Sequence, residues 1–341
     1  DRGVEVEATA LVGLPVPPAD APLHTPVVAF LAGTSGFSEG CAGSLSDANA
    51  LAAIVYATQG YVAVLPDYLG KAGFGGDDGL AHPYIVSEAA AIATWDGVRA
   101  VNDLLKSREA VTHDQRVILW GGSQGGHAVY AADRFATHYA PEFELVASIA
   151  TVAPSDLVGQ AVVAMQGLGA SSTGLLASFI TLSQWHGLWD RITEVVQSNV
   201  ATWLSEQMTS VCFPALSDVG VETLEDAFQP AFLESVQAGS WEGYETWRCL
   251  FAENSARHQT LPRGHDTPLL TVLATDDTLI DATVERTSHA AMCDAGYALS
   301  ELECEQANHV QGTAWSVREQ FAWIRARLAN EPLEDACSPT T

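Results

Sequence analysis

The chain has 341 residues, enough for one well-filled core with a sizeable insertion or for two domains, and 48% of it is apolar, which excludes a disordered polymer. Its 42 acidic residues outnumber 15 basic ones, and the formal net charge of −27 repels phosphate backbones and anionic headgroups, arguing against nucleic acid and polybasic membrane docking. Lys71 and Lys106 are the only lysines.

Short β-branched runs alternate with helical stretches, which predicts a mostly parallel sheet with helices on its faces. The first clear strand, Val27–Ala32, runs into the glycine-rich loop Gly33-Thr34-Ser35-Gly36. A helix over Asp47–Thr58, a strand over Tyr61–Leu65 and a helix over Ser87–Leu105 follow. The strand Val117–Trp120 then delivers Gly121-Gly122-Ser123-Gln124-Gly125, a G-x-S-x-G segment, into a helix over Gly126–His138. A serine hydroxyl is a weak nucleophile and has to project from a sharp turn, where side chains two residues away on either side would collide. The helix that follows aims its amino end at the site and favours developing negative charge. Ser123 is therefore the candidate nucleophile. The N–H of Gln124, the next residue, and that of Thr34 in the first loop are the candidate oxyanion donors. His127 is near in sequence but lies on the elbow helix, where a structural role suits it better.

After a strand over Leu145–Val152 the alternation stops between about Ser155 and Pro262, a gap roughly three times what a strand-to-strand crossover needs. This stretch opens with the Gly/Ser/Ala-rich segment Gly167–Gly174 and holds Trp185, Trp189, Trp203, Trp241 and Trp247, five of the nine tryptophans. It reads as a mostly helical cap, residues 155–262, inserted into a catalytic unit made of 1–154 and 263–341. Trp185 and Trp189 are expected to line its substrate pocket. The alternation resumes with the strand Leu269–Ala274, a loop through Asp276, Asp277 and Asp281, and a helix over Asp281–Ala295. His309 precedes a closing helix over Gly312–Leu328, in which Val317, Phe321, Ile324 and Leu328 are spaced as one buried stripe.

A serine nucleophile needs a base to take its proton and an acid to fix the imidazole tautomer, and this fold supplies them in the order Ser, Asp, His. His309 lies at the right sheet edge. His24, His113, His186, His258, His265 and His289 are expected to be surface or packing residues. Of the three aspartates, Asp281 is placed to cap the helix it opens. Asp276 and Asp277 are adjacent, so only one can face His309. The spacing to Leu279-Ile280, which should turn back onto the core, favours Asp277.

Six cysteines (Cys41, Cys212, Cys249, Cys293, Cys304, Cys337) lie far apart without a CxxC pair, so zinc-site spacing is absent and no metal or other cofactor is expected. An even, scattered set fits three disulfides in an oxidising compartment, with buried free thiols as the alternative. Apolar runs stay below the ~18 residues of a membrane span, and Asp1 does not begin a signal peptide. A mature secreted or periplasmic protein is expected.

Several segments resemble the secretory lipases, the α/β-hydrolases of the Candida antarctica lipase A type. These are Gly33-Thr34-Ser35-Gly36 with Cys41-Ala42-Gly43-Ser44, Gln59-Gly60-Tyr61-Val62, Asp67-Tyr68-Leu69-Gly70 and Trp95-Asp96-Gly97-Val98-Arg99-Ala100. Gly126-His127-Ala128 ends the elbow in the family's manner, Asp277-Thr278-Leu279-Ile280 stands where the family has D-E-I-V, and the cap matches around Cys212-Phe213-Pro214. Ala32 and Asp281 depart from the pattern, which often has histidine and proline there. The resemblance implies an α/β-hydrolase fold and a secreted acyl-ester hydrolase whose cap shapes the acyl pocket. It also implies the disulfides Cys41–Cys212 and Cys293–Cys337, which leaves Cys249 and Cys304 as a third pair. The leading expectation is thus a cofactor-independent esterase or lipase acting on a small-molecule ester or lipid, with only transient contact with a lipid interface. A serine peptidase or amidase on the same fold, and an inactive binding protein that kept it, are the alternatives.

Overall fold

The computed structural model describes residues 6–19, 21–74, 80–333, 337 and 339–340. They form one eight-stranded sheet, in spatial order β1-β3-β2-β4-β5-β6-β7-β8. Its strands are β1 (Ala10–Gly13), β2 (Leu23–Leu31), β3 (Val62–Pro66), β4 (Val111–Gly122), β5 (Glu144–Thr151), β6 (Leu269–Ala274), β7 (Leu299–Cys304) and β8 (Pro339–Thr340). Only β1 runs antiparallel, opposite β3. The central strands read as continuous apolar runs because helices cover both faces, as parallel sheets require. Val27, Val62, Val117 and Ile149 are fully buried.

On the faces lie α1 (Asp47–Thr58), α2 (Ser87–Lys106) and α3 (Gln124–Tyr139). The helix α2 turns Ala89, Ala93 and Val101 inward, and its Trp95 indole donates to Ala132 O of α3 at 2.9 Å. Between β5 and β6 come α4 (Leu157–Ala164), α5 (Ala170–Trp185), α6 (Ser198–Gln207), α7 (Leu224–Ala227), α8 (Pro230–Gln237) and α9 (Glu245–Glu253). These helices bury an aromatic cluster of their own, with Phe179 at 4.6–6.0 Å centroid distance from Phe228, Phe232, Trp247 and Phe251. The chain returns through β6, then α10 (Ala282–Asp294), β7, α11 (His309–Trp315) and α12 (Val317–Leu328).

Two expectations change here. The closing helix is two helices, broken at Ser316, whose hydroxyl donates to Gly312 O at 2.7 Å. Of its expected stripe only Ile324 is fully buried, whereas Val317 is exposed. Gln320 takes an inward position instead, because the buried Trp120 N–H needs an acceptor and finds Gln320 Oε1 at 2.6 Å.

Strand order decides where a site can form. From β2 the chain goes to β3 on one side and later to β4, β5 and beyond on the other. The reversal between β2 and β4 opens a crevice at their carboxyl ends, the place where open α/β sheets bind ligands. β2 ends at the Gly33-Thr34 loop and β4 ends at Ser123.

Candidate active site

Ser123 stands alone between β4 and α3 with φ 57° and ψ −121°, a backbone conformation strained for a residue with a side chain. Its N–H donates to Thr151 O at 2.9 Å and its carbonyl accepts from His127 N at 3.0 Å, so the turn is held from β5 and from its own helix. The flanking glycines are sterically required. A Cβ at Gly121 would lie 2.3 Å from Gly125 O, and one at Gly125 would lie 2.0 Å from Leu31 O.

Asp277 follows β6, with its carboxylate almost fully buried. Oδ1 accepts from the N–H groups of Leu279 and Ile280, at 2.8 and 3.0 Å, which leaves Oδ2 for His309 Nδ1 at 2.7 Å. His309 opens α11, whose start is fixed by Asn308: its Oδ1 accepts from Val310 N and Gln311 N, and Gln311 Oε1 accepts from Asn308 N. Asp276 is exposed, and its carboxylate accepts from the Thr275 hydroxyl at 3.4 Å. Asp281 caps α10 by accepting from Thr283 N and Val284 N at 2.8 and 2.9 Å.

The two candidate oxyanion donors sit on facing segments, since a Cβ at Gly33 would lie 3.9 Å from Ser123 Cβ. Gln124 is the first residue of α3, where helical N–H groups have no intrahelical acceptor. Its side chain is buried, and its Nε2 donates to His82 Nε2 at 2.7 Å. The His82 Nδ1–H in turn meets Leu69 O at 3.0 Å. Burial, reinforced by the neighbouring Lys71 cation and only partly offset by the Leu69 carbonyl, pushes the His82 pKa well down, so the ring stays neutral and can accept. Gln124 Oε1 has no partner among the described residues. The loop bearing Thr34 is held from the segment after β3: Tyr68 OH donates to Ala32 O at 2.9 Å, and Lys71 Nζ lies 3.0 Å from Ser35 Oγ and 3.3 Å from Gly36 O. Thr34 Oγ1 also meets the Tyr84 hydroxyl at 3.2 Å.

Ser123, Thr34 and His309 open onto one cavity of about 660 Å³. Its walls are small and apolar where α4 and α5 pass, at Ala161, Ala164, Gly174 and Ala177, with Phe213 and Phe251 as aromatic surfaces. Trp185 and Trp189, expected here, do not line it. Trp185 is buried and its indole N–H donates to Glu88 Oε2 at 3.2 Å, while Trp189 packs against the cap core. Tryptophans mark where a helical region must fill space, whereas the chamber is left open where α4 and α5 present residues too small to fill it. The composition of Gly167–Gly174 was the available signal.

His127 serves structure: its Nε2 meets Asn254 O at 2.7 Å, and burial, partly offset by that carbonyl, lowers its pKa to about 4. His289 is buried and paired with Glu301 Oε2 at 2.5 Å. Among the described residues no group of three or more His, Cys, Asp or Glu is placed to hold a metal ion, and no helix is long and apolar enough to cross a membrane.

Cys41 is bonded to Cys212 and Cys293 to Cys337. The first bond fastens the cap beside Phe213 and Pro214 to the segment following the Thr34 loop. The expected third pair does not form. Cys249 is exposed on cap helix α9, whereas Cys304 ends β7 and packs with Val152, Ala274 and Ala307. Those sites belong to different layers, and a disulfide needs its two Cα atoms within about 7 Å.

The sequence model of the secretory lipase family matches residues 41–336. Lipase 6 of Candida albicans is 25% identical over 302 residues, covering 83% of this chain and 58% of that protein. A secreted triacylglycerol lipase of Malassezia globosa is 25% identical over 304 residues, with 87% and 62% covered. The chain thus spans about three-fifths of the length of these relatives. Among solved structures, Candida antarctica lipase A in its closed state superposes with a TM-score of 0.70 at 19% identity, over 97% of this chain and 76% of that one. The rice cell wall degrading esterase LipA from Xanthomonas oryzae does so with a TM-score of 0.70 at 22% identity, over 95% and 86%. The mostly parallel sheet flanked by helices is that of an α/β-hydrolase, and with the match across most of its length the chain belongs to the secretory lipase family.

Proposed function

We propose that this protein is an extracellular carboxylic ester hydrolase that works through an acyl-enzyme on Ser123. The observation that carries the reading is the 2.7 Å contact between Asp277 Oδ2 and His309 Nδ1, made where His309 and Ser123 face one cavity. In this reading Asp277 holds the proton on Nδ1 and leaves Nε2 free to take the Ser123 proton as Oγ attacks the ester carbonyl. The N–H groups of Gln124 and Thr34 receive the negative charge on the carbonyl oxygen. His309 then protonates the leaving alcohol, and water repeats the sequence to release the acid. Residues 155–262 act as the cap. His309 is the one titratable catalytic group on an otherwise largely apolar wall, so the chamber suits an uncharged acyl chain. Membership in a secretory family and two disulfides support an extracellular location, and relatives named as lipases and an esterase support ester over amide. No metal or cofactor is needed for these steps.

Ser123→Ala tests the proposal. The variant should keep its fold and lose several orders of magnitude in turnover of p-nitrophenyl esters. A fluorophosphonate should label the wild type and not the variant. Labelling at another serine, or a faster rate on matched anilides than on esters, would overturn it.

A further inference from the structure

The acid loop between β6 and α10 is shaped at two ends. At the near end Asp277 Oδ1 gathers the N–H groups of Leu279 and Ile280. At the far end the side chain of Asp281 is spent on capping α10, and its main chain is held by a residue of the cap. Gln160 of α4, 121 positions away in sequence, accepts from Asp281 N at 3.0 Å through Oε1 and donates to Asp281 O at 3.1 Å through Nε2. The second Nε2 hydrogen reaches Glu285 Oε1 at 2.8 Å. The orientation of the amide is dictated by its partners, since Asp281 N can only donate and a carboxylate can only accept. Glu285 is fully buried and also accepts from Ser155 N at 2.8 Å and from the Ser155 hydroxyl. Gln160, Leu279 and Ile280 all line the acyl chamber.

We infer that Gln160 is a positioning residue: its carboxamide pairs with the Asp281 peptide as one strand pairs with another, and so holds the loop that aims Asp277 at His309. The inference rests on reading Asp277 and His309 as a catalytic pair. It makes the acid's geometry depend on the cap's first helix as well as on the sheet, because one side of the loop is built from α4.

A glutamine that only filled space would be replaced by methionine, which has a similar length and shape. Gln160→Met keeps the volume and removes every polar contact. It should lower kcat on a p-nitrophenyl acetate by ~10- to 100-fold, the scale of a loosened catalytic group, while KM moves by less than ~threefold. Gln160→Glu adds a readout that a packing role would not move. A neutral carboxyl offers one donor and one acceptor, so it can pair with Asp281 as the amide does, whereas the ionised form loses the donor. The groups facing it are Asp281, the cap of α10, and Glu285 of α10, with His289 3.7 Å beyond Glu285, Asp156 at the start of its own helix, paired with Arg257 and His258, and the Asp277–His309 pair across the loop. Relative to wild type at each pH, Gln160→Glu should be most active near about pH 5 and fall about tenfold towards pH 8, as ionisation beside Glu285 removes the donor. Gln160→Met should show no such trend. Wild-type kcat in Gln160→Met, or Gln160→Glu matching Gln160→Met at every pH, overturns the inference. Asp277→Asn run alongside separates the two readings: if it is inactive and Gln160→Met is unimpaired, the clamp alone fails. If Asp277→Asn is fully active, the catalytic pair fails and the clamp with it.

Discussion

Asp276 and Asp277 are neighbours in the chain, yet one carboxylate lies in water and the other is shut between two N–H groups and an imidazole. Asp277→Asn should therefore lower turnover by on the order of 10⁴, since an amide no longer holds the required tautomer. Asp276→Asn should cost about tenfold or less, as expected of an exposed side chain outside the pair. Both assayed on one short-chain ester decide it, and a crippled Asp276→Asn would reassign the acid. Lys71, one of only two lysines, is buried behind the loop bearing Thr34 with Nζ 5.2 Å from the Tyr68 ring centre. Burial, only partly opposed by Asp67, lowers its pKa from 10.5 to about 8. Between those values the unfolded chain holds a proton that the folded one has released, so stability rises with pH across that window. The cost of the buried charge is present below about pH 8 and is relieved above it, by up to about 3 kcal/mol. The urea midpoint of wild type relative to that of Lys71→Met should rise from pH 7 to 10.5; a constant difference would show that the ammonium is not penalised.

At the scale of elements, α5 forms part of the chamber through residues without bulk. A Cβ at Gly174 would meet only the Tyr84 hydroxyl, at 3.7 Å. Mid-helix glycine costs about 1 kcal/mol against alanine, so Gly174→Ala should stabilise the cap by up to that amount. Gly174→Phe should instead block the acyl path, and octanoate turnover should drop much more than acetate turnover. Each methylene left unburied forfeits about 0.8 kcal/mol, so the deficit should grow with chain length. Trp185→Ala and Trp189→Ala should lower thermal stability without any chain-length dependence, since both pack within the cap region away from the chamber wall. Chain-length profiles of the four variants test this together, and a selective loss on octanoate in Trp189→Ala would return that residue to the pocket.

For the molecule as a whole, covalent ties join segments that lie far apart in the chain. The Cys41–Cys212 bond spans 171 residues and joins the helical stretch between β5 and β6 to the segment after the Thr34 loop. In the chain-entropy account a loop of that length is worth on the order of 5 kcal/mol of constraint on the unfolded state. Cys212→Ser should accordingly show a large fall in thermal midpoint and easier proteolysis within the cap. The two unpaired cysteines make a count: denatured, unreduced protein should titrate two thiols, and none would restore the third disulfide.

What could be read along the chain was whatever local rules determine. The strand, glycine turn and helix around Ser123 are set by steric demands within five residues, and the run of helices between β5 and β6 shows as a break in alternation. The capping of α10 by Asp281 follows from its place before a helix. The strand β7, between β6 and β8, was less legible, because Glu301 and Glu303 interrupt its apolar pattern. Three features were decided only by tertiary structure. The chamber is walled by small residues whose meaning comes from what stands opposite. The loop bearing Thr34 is held by Tyr68 and Lys71, and the Gln124 side chain by His82, all from the stretch between β3 and α2. The acid loop is gripped by Gln160 from 121 residues away. Each depends on which surfaces the sheet order brings together, and a polar or small side chain has no sequence period by which to announce its partner; apolar faces do, since one continuous stripe must leave water together.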